Sequence, residues 1–163
     1  MGNPPPIPGN ETDLHVHILG QLIRISNLMV RLGASPKLAG RWGLTLQQWL
    51  LLELMYHRDG LPTNLSSLGR SLLVNKSVMT GMIDRLERDG YVYRKPNPDD
   101  RRVVYACLTP KGRRFVKEIL PVRDEWNAKS FEGFSLEERQ EFARLADRYF
   151  HNLFQETLEL DGG

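Results

Sequence analysis

The most restrictive feature of this chain is the change of hydrophobic period between Asn64 and Thr109, where two short capped helices are followed at once by two β-rich runs. Asn64 offers a side-chain oxygen to the free amides that open a helix over LSSLGRSL, and Asn75 does the same for a second helix that stops at Gly90. In the second helix Met79, Met82, Ile83 and Leu86 recur on one face. That leaves Lys76, Ser77, Thr80, Gly81 and Asp84 on the other, with Arg85 at the boundary. Such an outward face suits a groove-reading helix, because small hydroxyls and amides permit close approach while Lys and Arg reach bases and phosphates.

The runs Tyr91–Lys95 and Val103–Leu108 are joined by Pro96-Asn-Pro-Asp-Asp-Arg-Arg102, which predicts a hairpin with Arg101 and Arg102 side by side at a charged tip. Upstream, Thr45 and Gln48 form a capping box that launches a helix to about His57, apolar nearly all round and therefore central to the core. From Asp13 to about Leu32, Ile18, Leu22, Ile25, Met29 and Leu32 line one helix face while Val16, Leu19, Ile23 and Val30 cover another. Two apolar faces imply two partners. Met1–Glu11, with four prolines and two glycines, is expected to be a loose tail, and Gly33–Gly43 a loop with at most a short helical turn. Downstream, Thr109 and Pro110 are the N-cap and first residue of a helix with an apolar stripe at Phe115, Val116 and Ile119, which Pro121 is expected to interrupt or kink. Ser135-Leu-Glu-Glu138 is a further capping box, and Phe142, Leu145, Tyr149 and Leu153 trace a last helix to about Leu158.

Charge is partitioned along the chain. Residues 1–60 carry five Lys/Arg against four Asp/Glu, residues 61–120 twelve against six, and residues 121–163 five against ten. A basic middle concentrates a polyanion near the surface, and the acidic last third does not. With 163 residues and 40% apolar content the chain is expected to form one folding unit. No apolar run is long enough for a membrane span and Met1–Thr12 lacks a secretory pattern, so a cytoplasmic protein is expected. The single cysteine, Cys107, excludes an internal disulfide and reads as a small strand filler. His15 and His17 point apart on a helix, with His57 and His151 remote, so no metal site is expected. No Ser/His/Asp arrangement or phosphate-cradling glycine loop is present where it forms a site, which argues against an enzyme and against a cofactor.

With these elements in place, the chain from about Leu14 to Leu158 resembles the multiple-antibiotic-resistance regulator (MarR) family of bacterial transcription factors. The specific piece is Asp100-x-Arg102-x5-Leu108-Thr109, preceded by Pro98 and followed by Lys111-Gly112, closing a hairpin that directly follows a helix-turn-helix. The resemblance implies a mainly α fold with a small β-hairpin wing: a tail over residues 1–12, then one domain over 13–160. Within it a winged helix-turn-helix spans 45–109 (motif 64–89, wing 91–108) between dimerisation helices at 13–32 and 110–160. It further implies a homodimer bound to double-stranded DNA at a pseudo-palindromic site with reading heads about 34 Å apart. By the same resemblance Asn64, Ser66, Asn75, Lys76, Ser77, Thr80, Arg85, Arg94, Asp100, Arg101 and Arg102 are the DNA-binding positions. Arg102 corresponds to a wing arginine for the narrow minor groove, and Asp100 to the carboxylate that orients it. An effector pocket for a small aromatic or carboxylate molecule would draw on His15, Arg24, Trp42 and Trp49, and repression relieved by that molecule is the expected mode. Two positions depart from the pattern. Leu73 stands where the turn often has glycine, and Gly81 where the recognition helix commonly has an exposed polar side chain. The alternative is a winged-helix protein-interaction module docking through its acidic last helix, against which the basic wing speaks.

Overall fold

A computed structural model describes residues 6–33, 42–58, 61–98, 100 and 103–161, with the backbone alone for 158–161. Residues 34–41 of the loop expected over Gly33–Gly43 and the first five residues of the expected tail lie outside the described residues, as do Arg101 and Arg102. The chain divides into two compact units, residues 1–116 and 117–163.

In the first unit α1 spans Glu11–Gly33 and α2 Leu46–His57. The first helix begins two residues before Asp13, because Asn10 caps it: its side-chain oxygen accepts the Asp13 amide at 2.9 Å and its carbonyl accepts Leu14 at 3.0 Å. Helix α2 opens with the capping box, Thr45 N to Gln48 Oε1 at 2.9 Å and Gln48 N to Thr45 Oγ1 at 3.3 Å. Its Trp49, Leu51, Leu52 and Met55 are buried, so it runs through the core as its apolar circumference requires.

A strand pair that periodicity does not announce comes next. β1 is Thr63–Asn64, followed by α3 (Leu65–Leu72), α4 (Lys76–Arg88), β2 (Val92–Pro96) and β3 (Val104–Leu108). The antiparallel sheet has the order β1-β3-β2, with Thr63 opposite Ala106 and Asn64 opposite Tyr105, and Val92 opposite Leu108 through to Pro96 opposite Val104. The entrance to α3 is thereby tied to the wing.

Helix α3 ends in a Schellman-type turn, with Leu73 N donating to Arg70 O at 3.3 Å and Val74 N to Gly69 O at 3.0 Å. The turn requires a left-handed residue, and Leu73 supplies it at φ 52°, ψ 39°. A side chain there costs about 1 kcal/mol or more relative to the glycine that suits such positions. Since the Leu73 side chain is 57% exposed, little packing opposes the change. Leu73→Gly is expected to raise stability by about 1 kcal/mol in urea unfolding, and a loss would mean that the leucine contacts outweigh its backbone strain.

Helix α5 spans Pro110–Ser130 and is not interrupted at Pro121. A proline removes one amide donor, and the bonds on either side carry the helix past it. In the second unit α6 spans Leu136–Asp161, opened by the Ser135 box: Ser135 N to Glu138 Oε2 at 2.8 Å and Glu138 N to Ser135 Oγ at 3.2 Å. Arg139 closes the preceding turn by donating to Phe131 O at 3.1 Å and Phe134 O at 3.2 Å.

Candidate nucleic-acid interface

Asn75 caps α4, its side-chain oxygen accepting the Val78 amide at 2.9 Å, and Asn64 caps α3 by accepting Ser66 at 2.7 Å. Both caps therefore spend their carbonyls on the backbone, and the amide NH2 is the group each has for donating. Met79, Met82, Ile83 and Leu86 of α4 are buried. The opposite side exposes Ser77 and Thr80, with Lys76 exposed at one edge of that face and Arg85 at the other, and Ser66 is exposed at the start of α3. Thr80 Oγ1 donates to Lys76 O at 2.8 Å, which leaves its lone pairs and methyl facing out. Among the described residues Lys76 and Arg85 have no carboxylate partner, so their charge is available to a polyanion.

Gly81 interrupts that face, and a Cβ built on it meets nothing within 4 Å. The helix is shallow there by composition rather than by crowding. Val78 is 47% exposed, which its position in the sequence pattern does not announce. Its signal was an aliphatic residue one place off the buried stripe, and its methyls can meet a thymine methyl in the major groove. A cleft of about 330 Å³ lies beside that face, between α3 and α4, lined by Ser66, Arg70, Leu73, Lys76 and Thr80 among others.

The wing is held at several points. Asn97 N donates to Val103 O at 3.0 Å and Val103 N to Asp100 O at 2.9 Å, which closes the hairpin below its tip. Cys107 is buried opposite Tyr93, and hydrogen bonding with that thiol pushes the Tyr93 phenol up from its ordinary range. Arg94 does not stand free: its guanidinium meets Asp84 at 2.6 Å and also pairs with Glu87. Arg88 pairs with Asp89 at 2.9 Å, and this hydrogen bond holds the Asp89 carboxyl below its usual range.

The structure does not gather the four residues named for an effector pocket. His15 and Arg24 are exposed on α1 nine positions apart, hence on opposite sides of that helix. Trp49 is buried, its indole donating to Glu53 at 3.2 Å, and Trp42 packs edge-on to Phe115 at 5.9 Å. A cavity of about 290 Å³ at the end of α1 and the start of α2, lined by Val30, Gly33, Gly43, Leu44, Thr45, Leu46 and Gln47, includes none of them.

Comparison with known proteins agrees with this geometry. A family model described as the MarR family matches residues 44–104, from the residue before the α2 cap to the first residue of β3. The uncharacterized HTH-type transcriptional regulator YkoM of Bacillus subtilis (strain 168) is 36% identical over 103 residues, 63% of this chain and just under two thirds, 66%, of that protein. A MepR-like protein crystallised with pseudoligands is 31% identical, with a TM-score of 0.60 over 83% of this chain and 91% of its own. The S. aureus MepR–DNA complex, at 21% identity, has the same fold, with a TM-score of 0.74 over 83% of this chain and 97% of its own.

Proposed function

Because this chain belongs to the MarR family of winged helix-turn-helix regulators, we propose that it binds a pseudo-palindromic DNA operator as a cytoplasmic homodimer and represses transcription there. Members of that family are DNA-binding regulators and not enzymes. The observation that carries the proposal is the capped helix α4, whose polar face exposes Ser77 and Thr80 between Lys76 at one edge and Arg85 at the other, in a chain whose wing sequence is basic. In this reading α4 chooses the sequence. Asn64, Ser66 and Asn75 position the duplex, and by the resemblance Arg102, oriented by Asp100, reaches the minor groove while Arg101 meets phosphate.

The dimer reading is supported by α1, whose Val16, Leu19, Ile23 and Val30 are each more than half exposed on one stripe. An effector is proposed to act by changing the spacing of the two reading heads, which needs only a differential affinity for two arrangements. Among the described residues no helix is long and apolar enough to cross a membrane.

The test is binding of the purified protein to duplex DNA from upstream of its own gene across a salt series. Affinity is expected to fall steeply with salt, and Lys76→Ala to flatten the slope of log Kd against log salt by about one unit, as for the loss of one phosphate contact. Salt-independent binding, or an unchanged slope together with unchanged affinity in both Lys76→Ala and Arg102→Ala, would overturn the reading.

A further inference from the structure

We propose that Arg94 is a positioning residue, a brace that locks the first wing strand onto the recognition helix and sets the angle at which the wing meets DNA. The inference rests on the DNA-binding reading of α4. Its guanidinium spans two carboxylates of that helix, with Nη2 at 2.6 Å from Asp84 Oδ1 and Nη1 on Glu87 Oε2, while the Arg94 backbone amide donates to Glu87 Oε1 at 2.8 Å. Glu87 thus receives both the side chain and the main chain of one residue.

The backbone bond defines what is being held. β2 lies at the edge of the sheet, with β3 on one side only. The Arg94 amide turns away from β3 and is satisfied by Glu87, and Pro96, two residues on in the same orientation, has no amide. The recognition helix therefore closes the open edge of the wing. Between the two lies Asp89-Gly90-Tyr91, with Gly90 at φ 76°, a conformation reached without side-chain hindrance. Asp84 and Glu87 stand on the helix side of this joint and Arg94 on the strand side, so the ion pairs cross the joint where the wing would otherwise swing.

Charge gives the brace a second consequence. Asp84 is 59% exposed near the end of the face turned to DNA, and Arg94 offsets one of two negative charges that would repel phosphates. A fork is needed to satisfy two carboxylates at once, and lysine lacks it.

A thermodynamic cycle on affinity for the upstream duplex separates this role from direct phosphate contact. Arg94 and Glu87 are half-buried at the surface, so the variants are expected to lose some stability and still fold, which melting checks. As a brace, Arg94→Ala and Glu87→Ala each weaken binding on the order of 10-fold, the double variant is no worse than the poorer single, and the salt slope is unchanged. Arg94→Lys fails to restore affinity. The proposal is overturned if Arg94→Ala lowers the salt slope by about one unit while Glu87→Ala tightens binding, the pattern of a phosphate-contacting cation. Amide exchange reads the brace without DNA: the Arg94 amide should exchange at least about 10-fold faster in Glu87→Ala than in the parent, and equal rates would overturn the brace itself. Faster exchange in a protein that binds no DNA would instead overturn the DNA-binding reading, leaving the ion pairs as a structural joint.

Discussion

Replacing Gly112 with alanine is expected to destabilise the protein by about 3 kcal/mol, lowering the thermal midpoint by about 10 °C. Gly112 lies in the first turn of α5, and a Cβ there would fall 2.2 Å from Tyr91 O and 3.1 Å from Leu108 Cδ2. The first contact is with backbone, so no rotamer change relieves it. That carbonyl is fixed in place: it accepts Thr109 N at 3.0 Å and lies 3.1 Å from Thr109 Oγ1, whose one proton is directed at Gly90 O at 2.7 Å and shared with it. Lys111 fastens the same corner, with Nζ 2.7 Å from Asp89 O and 4.3 Å from the centre of the Tyr91 ring. Tyr91 in turn donates its hydroxyl to Trp42 O at 3.3 Å and packs edge-on to Phe115 at 5.6 Å. Making room for one methyl means moving the end of the recognition helix, the start of the wing and the start of α5 together. Gly81→Ala is the control for stability, since its Cβ meets nothing within 4 Å and alanine favours the helix interior. A calorimetric midpoint for Gly112→Ala within a degree or two of the parent would mean that this junction is loose, and the wing would then lose its fixed base.

The Lys111-Gly112 pair was visible in the sequence as part of a family pattern, but its physical reason was not, because the atom it must avoid belongs to Tyr91 twenty-one positions earlier. The same division runs through the whole chain. Caps at Thr45, Asn64, Asn75 and Ser135 were legible because only a few side chains can satisfy the first amides of a helix, and each signal sits within three residues. The cap at Asn10 has the same chemistry, but it follows a run of prolines whose composition reads as a tail. The exposed face of α4 was legible because its period is local. β1 was not, since two residues carry no period and become a strand only by pairing with Tyr105 and Ala106 about forty positions on. Arg94 shows the limit at the candidate site itself. Sequence shows a cation in a basic wing, whereas its partners Asp84 and Glu87 lie on another element and are found only once the fold has turned the chain back. The opposite placement of His15 and Arg24 follows from helical spacing alone.

Substituting Leu19→Glu together with Ile23→Glu is expected to convert a dimer to monomer and to weaken operator binding by about 100-fold or more, the advantage of linked half-sites. The two positions are 53% and 55% exposed, and with Val16, 67% exposed, they form a stripe on α1 that is open to solvent in one chain. Charges placed there disturb little within one chain. A second copy burying the stripe would have to desolvate four carboxylates for each symmetric pair of helices, a penalty that apolar contact does not offset. Fold and association are thus separable by one variant. Its melting midpoint at low protein concentration should match that of the parent, while sedimentation shows the mass of one chain. The DNA readout then distinguishes two readings of the same protein. If the heads act as a pair, the parent prefers the full operator to a single half-site by the linkage factor, and the variant binds both alike with the affinity the parent shows for one half. If the variant remains a dimer at micromolar concentration, α1 is not the pairing surface. If it is monomeric yet binds the full operator as tightly as the parent, each head reads DNA alone, and an effector acting on the spacing of two heads would have nothing to act upon.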